Sequence, residues 1–398
     1  MSGNAVAIIG AGMIGAAHAF GYRANLGRFS NRIPGIRLKT VCDSNEALAA
    51  ALSQTWGFEE TAGDWKTVLA DPEIGIVSVC LPNFLHVDVT RTALAAGKHV
   101  ICEKPLALTA KDALIVYQDS AESNSVSATV FNYRRIPAVA AIQKLIQAGE
   151  IGDPVNALVQ YQSEYAADPN LPHSWRYERE RAGPGALLDI GTHAVDIARF
   201  LCGEVNEIAG AIASISIKER FLPAGTSIGH SRVELSDKRL PVDNDDVMSA
   251  LLHFDSGCQG LFLASRVAVG MGNTLSFSVT GTKGTVRYNS QMPAHYELAR
   301  FDGSGQSPFA IIANSPSLPF ADLLPVPHDG VAIGYAEVFS FMIHDFLEAV
   351  ANGEPMTNGS ILDGLRAAEI LDAIQAAADR NQPVKIERAS MHAVSRVA

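Results

Sequence analysis

Short apolar runs recur through the first 130 residues, each separated from the next by a longer stretch of mixed polarity. Ala5 to Ile9, Arg37 to Cys42, Ile76 to Leu81, His99 to Cys102 and Val126 to Phe131 have the length and composition of strands. Between them, Glu46 to Trp56, Trp65 to Leu69 and Val87 to Ala96 have helical composition, and Gly57 and Gly97 stand where helices stop. Strand and helix alternating in this way require a parallel sheet covered on both faces. The segment from Ala24 to Gly35 reads as a turn-rich insertion that lengthens the loop before the second strand.

After Asn132 the rhythm changes. The pattern predicts a helix near Val139 to Ala148, a strand over Val155 to Tyr161, a polar and aromatic loop from Gln162 to Arg181, and a helix from Gly185 to Leu201. Asp246 to Phe254, Gly260 to Val267, Leu275 to Thr280 and Thr285 to Tyr288 read as antiparallel strands joined by turns such as DSG and GTKG. Residues 301–330, rich in Pro, Ser and Gly, predict a long loop. Phe339, Met342, Ile343, Phe346, Leu347 and Val350 repeat at three and four, which makes one helix face, and Ile361 to Ala378 forms another helix. The expected fold class is α/β, with a doubly wound domain over 1–131, a second α/β domain over 132–385 and a loose tail over 386–398.

Composition narrows the function. At 47% hydrophobic and 18% charged residues the chain is too apolar for disorder, and it has no run of 18 apolar residues to span a membrane. No basic region precedes the first apolar run, so a signal peptide is not expected. With 31 Lys and Arg against 42 Asp and Glu, a net charge of −11 opposes nucleic acid. Cys42, Cys80, Cys102, Cys202 and Cys258 are odd in number and lack CxxC spacing, which fits a reducing cytoplasm and neither a disulfide framework nor a metal site.

The first strand runs straight into Gly10-Ala-Gly12-Met13-Ile14-Gly15 and then a helix, the context in which this glycine pattern binds a dinucleotide. Gly10 makes the tight turn, Gly12 admits the pyrophosphate and Gly15 lets helix and strand pack closely. Asp43, ending the second strand, is the expected acceptor for the ribose hydroxyls, and its charge repels a 2′-phosphate, which favours NAD over NADP. A second reading makes Asp43 a helix cap. Later strands deliver Pro82, Asn83 and His86, and then Glu103, Lys104 and Pro105, to the carboxyl edge of the sheet, where ligands bind. Lys104 then faces the nicotinamide end, unless it is an ordinary solvated lysine.

GAGMIG, Asp43, PNxxH, AGKHVICEKP, FNYRR at 131–135 and GALLDIGTHAVDIARFL at 185–201 together resemble the glucose-fructose oxidoreductase / inositol dehydrogenase / rhizopine-catabolism (Gfo/Idh/MocA) oxidoreductases. Within that family FNYRRIPAV and DPNLPHSWRY look most like cyclic-sugar dehydrogenases of the levoglucosan type. The resemblance implies a Rossmann domain followed by an α/β domain with a large, mainly antiparallel sheet. The outer face of that sheet commonly packs on other subunits, which suggests a homodimer or homotetramer. It also implies an active site between the domains, where Lys104, Asp189 and His193 handle the substrate hydroxyl, and a peptide bond before Pro105 that is often cis.

Oxidising a carbinol requires a base beside its hydroxyl and a cation to stabilise the developing alkoxide. Imidazole titrates near neutral pH, so His193 suits the first role and Lys104 the second, while Asp189 binds a neighbouring hydroxyl or orients the ring. Asp189 and His193, four apart, are expected on one face of a single helix. The competing reading makes His193 a packed core residue with Asp196 as its partner. Tyr161, Tyr165, His173, Trp175 and Arg176 interleave aromatic faces with polar groups, as sugar recognition needs, although loop anchors have the same composition. The candidate cofactor set is therefore Gly10, Gly12, Met13, Ile14, Gly15, Asp43, Pro82, Asn83, His86, Glu103, Lys104, Asn132, Trp175 and Arg176. Lys104, Tyr133, Asp189 and His193 are the candidate substrate set. No run of Lys or Arg reads as a phosphate clamp, although the scattered Arg134, Arg135 and Arg176 could serve as one, so a neutral sugar or cyclitol is preferred over a sugar phosphate. Two further readings are a glycoside hydrolase or lyase that oxidises its sugar transiently, and a non-catalytic NAD-sensing regulator.

Overall fold

The computed structural model describes residues 3–225 and 232–389, so most of the expected tail lies outside the described residues. These residues divide into two units, one of 3–132, 335–368 and 388–389, the other of 133–334 and 369–387. The contiguous second domain expected over 132–385 is thereby corrected: residues 335–368 belong to the first unit. Their apolar helix face, including Phe339, Met342, Ile343, Phe346 and Leu347, joins the first unit's core.

In the first unit, β1 (Ala5–Ile9), β2 (Arg37–Cys42), β3 (Glu60–Ala62), β4 (Ile74–Val79), β5 (His99–Cys102) and β6 (Ser127–Thr129) form a parallel sheet in the order β3-β2-β1-β4-β5-β6. That order reverses direction beside β1, where doubly wound sheets place their ligands. Every residue of β1 and β4 is buried, as two covered faces demand. The insertion expected at Ala24 to Gly35 is half helix, because the first helix continues from Met13 to Phe29. Asn25, which reads as a turn residue, instead donates its amide to the Ser340 carbonyl at 2.8 Å. A Cβ on Gly21 would lie 2.9 Å from Ile343 Cγ1, so the two helices meet closely there.

The second unit contains β7 (Pro154–Ser163), β8 (Val205–Ser214), β9 (Glu219–Pro223), β10 (Leu235–Pro241), β11 (Val247–Phe254), β12 (Gln259–Ser265), β13 (Asn273–Gly281), β14 (Gly284–Asn289), β15 (His295–Arg300), β16 (Ala310–Ala313) and β17 (Val384–Lys385). β9 and β10 pair as a ribbon, and the others form a sheet in the order β16-β15-β14-β13-β7-β12-β11-β8-β17. Among the described residues only the β12–β7 pair in that sheet is parallel, so the sheet is mainly antiparallel, as expected. Its central strands alternate. Ala250, Phe262, Val159 and Phe277 stand opposite one another on the buried face, and Leu251, Leu261 and Leu158 form the matching row on the other face. The loop expected over 301–330 contains β16, whose four residues add an edge strand.

The helix expected from Gly185 to Leu201 is interrupted. Ala186–Asp189 and Gly191–Cys202 are separate helices, with Ile190 at φ −108° between them. A Cβ on Gly191 would come within 3.0 Å of the Phe262 ring, and this close seat on the sheet accompanies the break.

Candidate active site

In the first unit the three glycines of the first turn differ in what they allow. Gly10 has φ 108°, and a Cβ there would fall 2.2 Å from the Cys80 carbonyl oxygen, so no other residue makes this turn without displacing backbone. A Cβ on Gly15 would lie 2.0 Å from the Gly10 carbonyl oxygen, which is the helix–strand approach in numbers. Around Gly12 a Cβ would meet nothing within 4 Å, and this residue starts the Met13–Phe29 helix without a side-chain cap. Open space before uncapped helix amides suits a pyrophosphate. Met13 is exposed there, while Ile14 leans on the core.

Asp43 accepts from the Ala11 amide and from the Asn45 amide, both at 2.8 Å. The helix cap is Asn45, whose side chain accepts from Ala47 and Leu48, so the capping reading of Asp43 falls. Held against the glycine turn, the Asp43 carboxylate keeps lone pairs for hydroxyl donors. Asn132 is 1% exposed, and neither atom of its amide has a hydrogen-bond partner among the described residues. An orphaned amide this deep is costly unless a polar ligand satisfies it. Glycine cradle, carboxylate and amide together fit a dinucleotide.

Two of the expected cofactor residues also engage the protein itself. Glu103 is buried; Oε1 meets His18 Nε2 at 3.1 Å and Oε2 accepts from the Lys104 amide at 3.1 Å. His86 is also buried, with Nδ1 2.7 Å from the Pro105 carbonyl and Nε2 2.8 Å from that of Leu81. Burial pushes the His86 imidazole below its usual range, which opposes the doubly protonated form that would donate to both carbonyls at once. These two side chains grip the backbone on either side of the cis Lys104–Pro105 bond. They hold Lys104 in place and direct their polar atoms to the protein. Pro82 opens the one-turn helix Asn83–Leu85 just beyond the end of β4.

In the second unit His193 is buried at the start of the Gly191–Cys202 helix. Its ring meets Tyr133 edge-on, with centroids 4.8 Å apart, and Tyr161 at 5.8 Å. Tyr161 donates its hydroxyl to Asn273 Oδ1 at 2.8 Å, so in the 2.8 Å contact between the two phenols Tyr133 is the donor. Burial drives the Tyr133 phenol well above its ordinary pKa and keeps it a neutral donor. Asp189 accepts from the Tyr165 hydroxyl at 2.6 Å. Burial, with the adjacent carboxylate, pushes that phenol up as well.

Because the helix breaks at Ile190, Asp189 and His193 lie on two consecutive helices, which replaces the expected single face. The competing reading, which gave Asp196 to His193 as its partner, meets a different pairing. Asp196 takes a buried bidentate grip from Arg134, whose Nε lies 3.1 and 2.9 Å from the two carboxylate oxygens, and this also removes Arg134 as a phosphate ligand. His173 is an anchor for its loop, its Nε2 3.1 Å from the Pro241 carbonyl. Trp175 and Arg176 stack, with the guanidinium carbon 4.6 Å from the ring centroid.

Sequence reasoning missed Asn273, an exposed residue whose neighbours in the chain do not mark it, and Asn244 and Asp245. The signal for the latter was the polar run DNDD at 243–246 set directly before an apolar strand.

Residues 5–131 match the model of an oxidoreductase family with an NAD-binding Rossmann fold, and residues 139–287 match a GFO/IDH/MocA C-terminal domain. Levoglucosan dehydrogenase of Pseudarthrobacter phenanthrenivorans is 36% identical over 97% of this chain and 98% of that protein. Inositol 2-dehydrogenase of Rhizobium meliloti is 28% identical over 94% of this chain and 97% of its own length. A solved structure of levoglucosan dehydrogenase in complex with NADH superposes with a TM-score of 0.89 at 34% identity, covering 98% of this chain and 100% of that one. The glycine turn and Asp43 lie inside the first match and Asp189 and His193 inside the second, so this chain is an oxidoreductase with NAD as cofactor and belongs to the Gfo/Idh/MocA family.

Proposed function

We propose that the protein oxidises a secondary hydroxyl of a neutral sugar, anhydrosugar or cyclitol. His193 takes the hydroxyl proton, the Lys104 ammonium stabilises the developing alkoxide, and Asp189 binds a neighbouring hydroxyl. NAD, held at the glycine turn and Asp43, would supply the hydride acceptor. Tyr133 and Tyr161 fix the His193 ring by their contacts with it, and Tyr165 keeps Asp189 oriented. The observation that carries the reading is the imidazole of His193 set among these tyrosines, in a chain that also has a dinucleotide cradle. A neutral substrate is favoured because Arg134 and Asp196 neutralise each other.

Incubation with levoglucosan, myo-inositol and related cyclic polyols, each with NAD or NADP, tests this by the absorbance of reduced nicotinamide. Reduction of NAD with at least one of them is expected, and the Asp43 carboxylate predicts at least about tenfold lower efficiency with NADP. Bond cleavage without net reduction would favour the transient-oxidation reading, and no turnover with any of them would remove the proposal. Five cysteines without a disulfide suit a cytoplasmic setting.

We also propose that the chain is a homo-oligomer through the open face of the nine-stranded sheet. Leu158, Leu251 and Leu261 are opposite neighbours there, 41%, 48% and 53% exposed, and a flat apolar row at the centre of a sheet is what a second copy covers. Leu261→Glu is expected to lower the mass measured by light scattering to that of a smaller species. An unchanged mass would place the interface elsewhere.

A further inference from the structure

The segment from Asp243 to Asp246 runs into β11 and is almost wholly withdrawn from water beyond its first residue, with Asn244, Asp245 and Asp246 at 2%, 5% and 0% exposure. Three consecutive polar residues so deep must each be satisfied. Two of them reach into one loop. Asn244 Nδ2 donates to the Arg176 carbonyl at 3.0 Å and to the Gly183 carbonyl at 3.1 Å. The Asp245 carboxylate accepts from the Gly185 amide and the Leu187 amide, both at 2.9 Å, and its backbone carbonyl accepts from Ala186 at 2.8 Å.

The short helix Ala186–Asp189 has Gly185 as its N-cap, and glycine has no side chain with which to cap it. Asp245 supplies that function from a segment 58 residues further along the chain. Gly185 fits only because it is glycine, since a Cβ would lie 2.1 Å from the Asp245 carbonyl oxygen. Asp246 faces elsewhere. It pairs with the buried Arg266 at 2.8 Å, and Arg266 Nη2 in turn donates to Asn244 Oδ1 at 2.9 Å, fixing which way that amide points.

We infer that Asn244 and Asp245 are positioning residues for the reaction, a clamp that presents Asp189 by holding the loop that leads to it from Arg176. This rests on the assignment of Asp189 to the substrate. Neither clamp residue touches the reacting atoms. They act by removing freedom from the turn before Asp189, whose carboxylate must keep its 2.6 Å contact with Tyr165 while it binds a hydroxyl. An enzyme can lose about a hundredfold in rate from a displacement of about 1 Å, so a residue one step removed from the chemistry can matter as much as one within it.

The test uses the full-length protein carrying Asp245→Asn, which keeps the shape of the side chain but only one acceptor, and Asn244→Ala. Hydrogen exchange is followed at the amides of residues 183–189 and, as an internal reference, across β11 and β12. Turnover is followed with levoglucosan and myo-inositol in these variants, in Asp189→Asn, and in the double variant Asp189→Asn/Asp245→Asn. The clamp predicts at least about tenfold faster exchange at Gly185 and Leu187 in Asp245→Asn, with the strands unchanged. It also predicts a loss of about 10- to 100-fold in kcat with KM within about threefold, and a double variant no slower than Asp189→Asn alone. Unchanged protection at the two amides overturns the inference, as do losses that multiply in the double variant, which would mark a general loosening of the fold. If the unaltered protein oxidises neither sugar, the functional proposal fails, and the exchange measurement still decides whether the clamp exists.

Discussion

Replacing His193 by alanine is expected to lower kcat by about 10²- to 10⁴-fold for whichever cyclic polyol the protein oxidises, with NAD affinity changed by no more than about twofold. The proton on the reacting hydroxyl must leave as the carbon–hydrogen bond breaks, and an alanine there leaves solvent to do the work of a positioned base. The residues proposed to hold the cofactor, Gly10, Gly12, Gly15 and Asp43, belong to the other unit, so dinucleotide binding provides an internal control. Tyr133 loses its edge-on neighbour in this variant, so circular dichroism and a Tyr133→Phe variant, which keeps the ring, separate lost chemistry from lost packing. Retention of half or more of the turnover would assign the base elsewhere. A parallel fall in NAD affinity would point to damage beyond the reacting centre.

How much of this could be read from the chain follows the range of the forces involved. The parallel sheet was legible because each strand is a local apolar run, and three of the five expected strands, Ala5–Ile9, Arg37–Cys42 and His99–Cys102, have the observed limits. Glu60–Ala62 was not legible, since three mostly exposed residues carry no period. Family pattern brought Asp189 and His193 into view, but the helix break between them depends on how Gly191 seats against Phe262, which is far away in sequence. The same distance hid the protein partners of His86 and Glu103. Both occupy the expected edge of the sheet, and both turn their polar atoms to backbone and to His18. Residues 335–368 were assigned to the wrong unit because an amphipathic helix announces an apolar face and does not name its partner.

Asp196→Ala is expected to destabilise the protein by about 3–5 kcal/mol, read as a shift in the urea unfolding midpoint. The side chains of Arg134 and Asp196 are 6% and 2% exposed, so the carboxylate cannot be replaced by water without rearrangement, and its removal leaves a buried guanidinium with its main counter-charge gone. Attraction within a buried pair is largely offset by the cost of desolvating both ions, so the loss measures the stranded charge more than the bond. It follows that Arg134→Met combined with Asp196→Leu should recover most of the stability lost in the single variant, because two apolar side chains of similar bulk strand nothing. The pair also bears on the site, since it ties the helix that begins beside His193 to the residue following Tyr133, the ring against which His193 rests. The double variant should therefore unfold nearly as late as the unaltered protein. If it unfolds as early as Asp196→Ala, the directed hydrogen bonds themselves are stabilising, and the account of Asp196 as a neutralising partner is wrong.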